Sequence, residues 1–174
     1  YVEARSGNAA KAARFAPARA EEDTLSYRVT TSTGPTSTVV INELMSSNTK
    51  TVADPQGHYD DWIELYNVTD EAVDLTGRYL SDDPDNPRKW RFPDGTKIAG
   101  GGYLLIWADE DGQASAGLHA NFKLASSGEQ VLLVDTDEHF NALLDSVSFG
   151  PIAPDRSYGR TAQAPGVFQV MEPT

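Results

Sequence analysis

Beyond its first 36 residues this chain is written in short apolar runs, none longer than a strand, separated by strong turn signals. The runs include Val39-Val40-Ile41-Asn42-Glu43-Leu44-Met45, Trp62-Ile63-Glu64-Leu65-Tyr66, Tyr103-Leu104-Leu105-Ile106-Trp107 and Val131-Leu132-Leu133-Val134. Between them stand Asp54-Pro55-Gln56-Gly57, Asp82-Asp83-Pro84-Asp85-Asn86-Pro87, Pro93-Asp94-Gly95, Gly100-Gly101-Gly102 and Gly150-Pro151, where glycine, proline or Asx chemistry turns the backbone. No window there keeps a 3.6-residue apolar repeat free of Gly or Pro, which excludes helices as the main element. Strands of this length and spacing predict an all-β sandwich or barrel. Its core is expected to contain Ile41, Leu44, Ile63, Leu65, Leu80, Trp90, Leu104, Ile106, Leu132 and Val147.

The polar stretch Thr31 to Thr38, with Gly34-Pro35 at its centre, reads as a connector. Residues 1–36 are therefore expected to be an N-terminal arm and linker, 37–165 the sandwich, and 166–174 an irregular tail. Within the arm, Tyr1-Val2-Glu3-Ala4 and Leu25 to Thr30 read as strands, and the Ala-rich stretch Asn8 to Arg14 as a helical turn before Pro17. Two strands alone bury too little to be stable. The arm is accordingly expected to add to a sheet edge, its own domain's or that of a second copy, which offers a route to a homodimer. The chain opens at Tyr1 with neither Met nor a signal-type apolar segment, and so reads as a piece of a longer protein.

Charge narrows the partners. The 174 residues carry a net charge of −12, and residues 1–36 hold five basic and four acidic groups, leaving −13 on the rest. A body this acidic repels a polyanion unless its bases cluster, and the one cluster, Arg88-Lys89-Trp90-Arg91, follows Asp82, Asp83 and Asp85, which its cations can balance. Nucleic acid is not the expected partner. No apolar run approaches the ~18 residues of a membrane-crossing helix, so no membrane insertion is expected. The absence of cysteine removes disulfides and thiolate chemistry.

A carboxylate inside an apolar strand is costly without a partner, which singles out Glu43 and Glu64. They read as structural, each accepting hydrogen bonds or forming an ion pair with a nearby arginine such as Arg91 or Arg160; the alternative is an acid and base pair of a hydrolase. Asp82, Asp83 and Asp85 offer hard oxygen ligands that suit calcium, although neither the glycine nor the distal glutamate of an EF-hand loop is present. A solvated turn, in which Asp and Asn cap their own backbone, is the favoured reading. His58, His119 and His139 stand in separate loops without paired spacing, so zinc is not expected. Trp62 is the candidate for stacking on a sugar ring, while Trp90 and Trp107 read as core. No GxSxG elbow, GxGxxG or GxxxxGK[ST] occurs, and no catalytic residues and no cofactor other than possible calcium are expected.

The runs around Val39-to-Met45 and Asp60-to-Asn67 are joined by Asp74-Leu75-Thr76-Gly77-Arg78-Tyr79-Leu80-Ser81-Asp82, Lys89-Trp90-Arg91-Phe92-Pro93, Gly102-Tyr103-Leu104-Leu105-Ile106-Trp107-Ala108, Asn121-Phe122-Lys123-Leu124 and Ser157-Tyr158-Gly159-Arg160. In this order, the series resembles the bacterial form of the lamin tail domain from about Val39 to about Arg160. The arm resembles the last hairpin of a fibronectin-type or other immunoglobulin-like domain. These resemblances imply an immunoglobulin-like β-sandwich of the lamin-tail type with an N-terminal β-hairpin arm. They also imply a non-catalytic adhesion, targeting or spacer module of a larger secreted or cell-surface bacterial protein, extracellular or on the cell surface. The expected partner is a protein or a cell-surface polysaccharide. The alternative is an accessory hydrolase domain using Glu43 and Glu64 on polysaccharide or phosphodiester substrates.

Overall fold

A computed structural model describes residues 2–7, 10–15, 37–112, 116–161 and 164–174, with side chains described in 37–112, 116–161 and 166–174. By internal contacts the chain divides into Tyr1–Gly34 and Pro35–Thr174. In the first unit β1 (Val2–Gly7) and β2 (Ala10–Phe15) form an antiparallel hairpin, with Val2 opposite Phe15 and Gly7 opposite Ala10. The Ala-rich segment expected to be a helical turn is thus largely a strand. A helix of so few residues cannot recover its nucleation cost, whereas cross-strand pairing satisfies the same backbone groups at once. The strand expected over Leu25 to Thr30 lies outside the described residues.

The second unit runs β3 (Val39–Met45), β4 (Asp61–Asn67), β5 (Val73–Asp74), β6 (Tyr79–Ser81), β7 (Trp90–Arg91), β8 (Lys97–Ile98), β9 (Tyr103–Ala108), β10 (His119–Ala120), β11 (Gln130–Val134), one 3₁₀ turn (Asp137–His139), β12 (Leu143–Ser148), β13 (Ser157–Thr161) and β14 (Ala164–Met171). A six-stranded sheet has the order β10-β9-β4-β3-β13-β14, and a four-stranded sheet the order β12-β11-β6-β7. β5 and β8 form a separate ribbon. This is the expected immunoglobulin-like all-β sandwich.

Its core joins the inward faces of both sheets: Ile41, Leu44, Ile63, Leu65 and Ile106 from one, and Leu80, Trp90, Val131, Leu133 and Val147 from the other. Ile41 and Leu44 lie three residues apart, which strict alternation would send to opposite faces. A β-bulge resolves this: Ile41 stands opposite Leu65 and Glu43 opposite Glu64, leaving Asn42 as the extra residue. Leu104 is half-buried but packs against this core as expected, whereas Leu132 differs: it packs with Tyr79 and Val134 on the outer side of the four-stranded sheet. In the four-residue run 131–134 every side chain is apolar, so the sequence carries no alternation from which to read the phase.

The tail is also corrected. β14 extends the sandwich through Met171 by pairing with β13, Tyr158 facing Val170 and Arg160 facing Phe168. Phe168 anchors it: the ring stacks on Tyr158 at 5.3 Å and lies beneath the Arg160 guanidinium at 4.4 Å. Val167 and Val170 point to solvent, which is why no alternation marks this strand.

Arg160 also ties the two sheets together. β13 pairs with β3 only at Leu44 and Glu43, so the polar groups of Ile41 need other partners. Asp145 of β12 accepts the Ile41 N–H at 2.8 Å, and Arg160 Nε donates to the Ile41 carbonyl at 2.8 Å. The Arg160 Nη2 then meets both Asp145 oxygens, at 2.9 and 3.1 Å. Asp145 sits opposite Leu133, on the inward side of an edge strand. An inward charge at such a position discourages edge-to-edge association.

Candidate functional site

The side chains of β3, β4 and β9 that do not enter the core stand in cross-strand rows on the outer face of the six-stranded sheet. The first row is Met45, Trp62, Trp107 and His119. The second is Gly159, Glu43, Glu64 and Leu105, and the third Val40, Tyr66 and Tyr103. The first row is sheltered: Met45, Trp62 and Trp107 form a buried cluster, and the loop after β3 folds back far enough for the Thr51 hydroxyl to reach Met45 Sδ at 3.3 Å. Trp62, the expected stacking residue, is only 3% exposed and is not available to a ligand. The sequence places it correctly on the outer face but does not reveal the loop that covers it.

The third row is open only at its β9 end: Val40 is buried and Tyr66 half-buried. Tyr66 and Tyr103 stack with ring centroids 4.7 Å apart, and Tyr103 is 60% exposed. Beside them lies Glu64, whose carboxylate accepts a hydrogen bond from the Asn42 amide at 2.8 Å. The bulge at Asn42 sets this contact, because it brings the amide alongside its cross-strand neighbour. Burial raises the Glu64 pKa, the Asn42 hydrogen bond opposes the rise, and the facing Glu43 adds to it. Glu43 itself is buried, and its carboxylate receives the Thr174 backbone N–H at 3.3 Å and the Thr174 hydroxyl at 2.5 Å. Gly159 makes room for it, since a Cβ there would stand 2.9 Å from Glu43 Cγ.

Glu43 and Glu64 are therefore held by hydrogen bonds rather than by ion pairs with Arg91 or Arg160. Among the described residues no cation lies within salt-bridge distance of Glu43 or Glu64; Arg91 pairs with Asp94 at 3.1 Å and Arg160 with Asp145. Strand register explains this: Glu43 and Glu64 face outward while Arg160 faces the core side. The acidic loop is a turn. Lys89 Nζ lies 2.7 and 2.9 Å from the two Asp82 oxygens, and Asp83 accepts the Asp85 N–H at 2.9 Å. Of the calcium candidates, Asp82 and Asp83 are thus engaged separately, and Asp82, Asp83 and Asp85 form no shared ligand group among the described residues. Arg88 pairs with Asp137, so each base of the basic cluster faces an acid.

A second group, which sequence spacing did not reveal, lies at the covered end of the sheet. Asp54, Asp109 and His119 each offer one ligand atom within 4.8 Å of the others, and Asp54, His58 and Asp60 form a second such set sharing Asp54. His119 Nδ1 lies 2.5 Å from Asp109 Oδ2, and Nε2 is 2.8 Å from the Ala116 carbonyl. Burial opposes a charged His119, but the hydrogen bonds to Asp109 and Ala116 outweigh it and raise the pKa. Asp60 is raised by burial, then by the charges of Asp109 and Asp54. The Asp54-x-x-x-His58-x-Asp60 spacing was the local signal; Asp109 and His119 come to it only through the fold.

A family model for the Lamin Tail Domain matches residues 32–151, ending before β13. No curated protein matches the chain. The sandwich and the match agree with the ordered motifs of β3, β4, β6 and β9, and the chain belongs to the lamin tail domain family.

Proposed function

We propose that this lamin tail domain is a non-catalytic binding module of a larger secreted or cell-surface bacterial protein, and that it holds a polysaccharide on the open part of its six-stranded sheet. The observation that carries this reading is the Tyr66–Tyr103 stack, exposed at Tyr103, beside the Glu64–Asn42 pair. An aromatic face receives the apolar C–H face of a pyranose, and an adjoining carboxylate and amide supply the acceptor and donor that orient its hydroxyls. The −13 charge on residues 37–174 disfavours nucleic acid on the same surface. The hydrolase alternative needs both carboxylates at a substrate, but Glu43 is 2% exposed and bonded to Thr174.

Co-sedimentation with insoluble polysaccharides, chitin and peptidoglycan among them, tests the reading. At least one should retain the domain, and Tyr103→Ala should weaken retention about 10-fold, a loss of roughly 1.4 kcal/mol. Retention unchanged by both Tyr103→Ala and Glu64→Gln would place recognition elsewhere. Product release abolished by Glu64→Gln would establish the hydrolase instead.

A further inference from the structure

We propose that Asp54, Asp109 and His119 form a binding site for a divalent transition-metal cation, with His58 and Asp60 at its mouth. The site lies at the opposite end of the sheet face from the tyrosines and is independent of the binding role given to them.

The donor atoms are held before any ion arrives. Asp54 uses Oδ1 to accept the N–H groups of Gln56 at 2.9 Å and His58 at 2.6 Å, and Asp109 uses Oδ1 to accept the Asp111 N–H at 2.9 Å. Each carboxylate thereby keeps Oδ2 for the centre: that of Asp109 faces His119, and that of Asp54 lies 3.8 Å from His58 Nδ1 with no hydrogen-bond donor among the described residues. These backbone bonds orient the carboxylates as supporting groups do around known metal ligands.

The imidazole is oriented in the same way. Its Nε2–H donates to the Ala116 carbonyl, which leaves Nδ1 as the atom turned toward the carboxylates. In the neutral tautomer that atom is a lone pair facing other lone pairs, so a positive centre is required: a proton on Nδ1 or a metal ion in its place. Gly117, at φ +91°, lies against the ring, and a Cβ there would stand 2.9 Å from Nε2. The ring cannot turn Nε2 toward the carboxylates without giving up its carbonyl.

Charge completes the case. The side chains of His119, Asp109 and Asp54 are only 2%, 7% and 3% exposed, so the local field is weakly screened. Asp54, Asp60 and Asp109 supply three negative charges against one imidazolium. Lys123, whose backbone forms an isolated β-bridge with Asp109 and whose charge reaches Asp60, is 57% exposed and pairs with Glu110 at 3.6 Å. One nitrogen among carboxylate oxygens suits zinc or cobalt better than calcium, which takes oxygen ligands alone. Binding exchanges the Nδ1 proton, released to solvent, for the metal, and joins the loop bearing Asp54 to the segment bearing Asp109 and His119.

Calorimetric titration of the full chain with ZnCl₂ tests the site, alongside the visible absorption of the Co²⁺ form. One Zn²⁺ should bind per chain. His119→Ala and Asp54→Asn should each weaken binding about 100-fold and remove the cobalt bands, and His58→Ala, on an exposed ring, about 10-fold. Metal-free urea midpoints identify any variant that has unfolded; His58→Ala remains decisive in that case because its ring is 74% exposed. Absence of heat up to about 1 mM Zn²⁺, or binding that survives all three substitutions, would overturn the proposal.

Discussion

Asp145→Ala is the sharpest probe of how the two sheets are held together. The substitution removes the acceptor of the Ile41 N–H and the carboxylate of the Arg160 pair in one step. The two side chains are only 14% and 12% exposed, so solvent screening is slight. Removing one partner of a buried pair costs about 3–5 kcal/mol, and an orphaned buried N–H about 1–3 kcal/mol. Both losses arise from the same site and do not add, so we expect a total of roughly 3–5 kcal/mol. Urea denaturation followed by tryptophan fluorescence measures it as a fall in midpoint at constant slope. The double variant Asp145→Leu with Arg160→Met should recover only the part of that loss due to the unpaired Arg160 charge, because the Ile41 N–H and carbonyl stay without their partners. A loss under about 1 kcal/mol would mean that the pair behaves as a surface salt bridge and that the sheets do not depend on it.

Gly159→Ala should destabilise the domain by about 1–3 kcal/mol, because the new Cβ meets the Glu43 side chain and the Asn42 carbonyl; an unchanged denaturation midpoint would refute the packing described. For Glu64 the folded-state pKa is raised above 4.5, so the folded protein holds this proton more tightly than the unfolded chain. The resulting penalty is fully present above the folded pKa and is relieved as pH falls through it toward 4.5. Glu64→Gln should therefore be more stable than the parent near neutrality, with the gap closing in acid; a gap that widens on acidification would contradict the sign. Leu80→Ala, at a fully buried position of the four-stranded sheet, should cost about 2–5 kcal/mol, whereas Val170→Ala on the exposed side of β14 should change the midpoint little.

The strands of the sandwich were legible because β-branched and aromatic runs bounded by Gly, Pro and Asx turns leave few other folds open. What the residues alone did not disclose came from contacts distant in the chain. Trp62 reads as an outward aromatic, which it is, but its burial depends on the loop that follows β3. Glu43 and Glu64 stood out as charges within apolar strands, yet Asp145 in Leu143-Leu144-Asp145-Ser146-Val147 carries the same signal and proved to be the acid that meets Arg160. The Tyr66–Tyr103 stack requires the β4–β9 register, which no local pattern specifies. His119 and Asp54 lie 65 residues apart, and motif spacing does not reach so far. β14 escaped notice because Val167 and Val170 are exposed while Phe168 packs against the core, a pattern with no strand periodicity.

The central claim is that recognition occurs on the open part of the six-stranded sheet. Amide chemical-shift mapping tests it most directly, with the ¹⁵N-labelled domain titrated with soluble oligosaccharides from whichever polysaccharide retains it. The account predicts shifts concentrated at Asn42, Glu64, Tyr66 and Tyr103, saturating together with one dissociation constant and absent from Tyr103→Ala. Saturable shifts confined to the edge strands β12 and β14, with the tyrosine face unmoved, would contradict it.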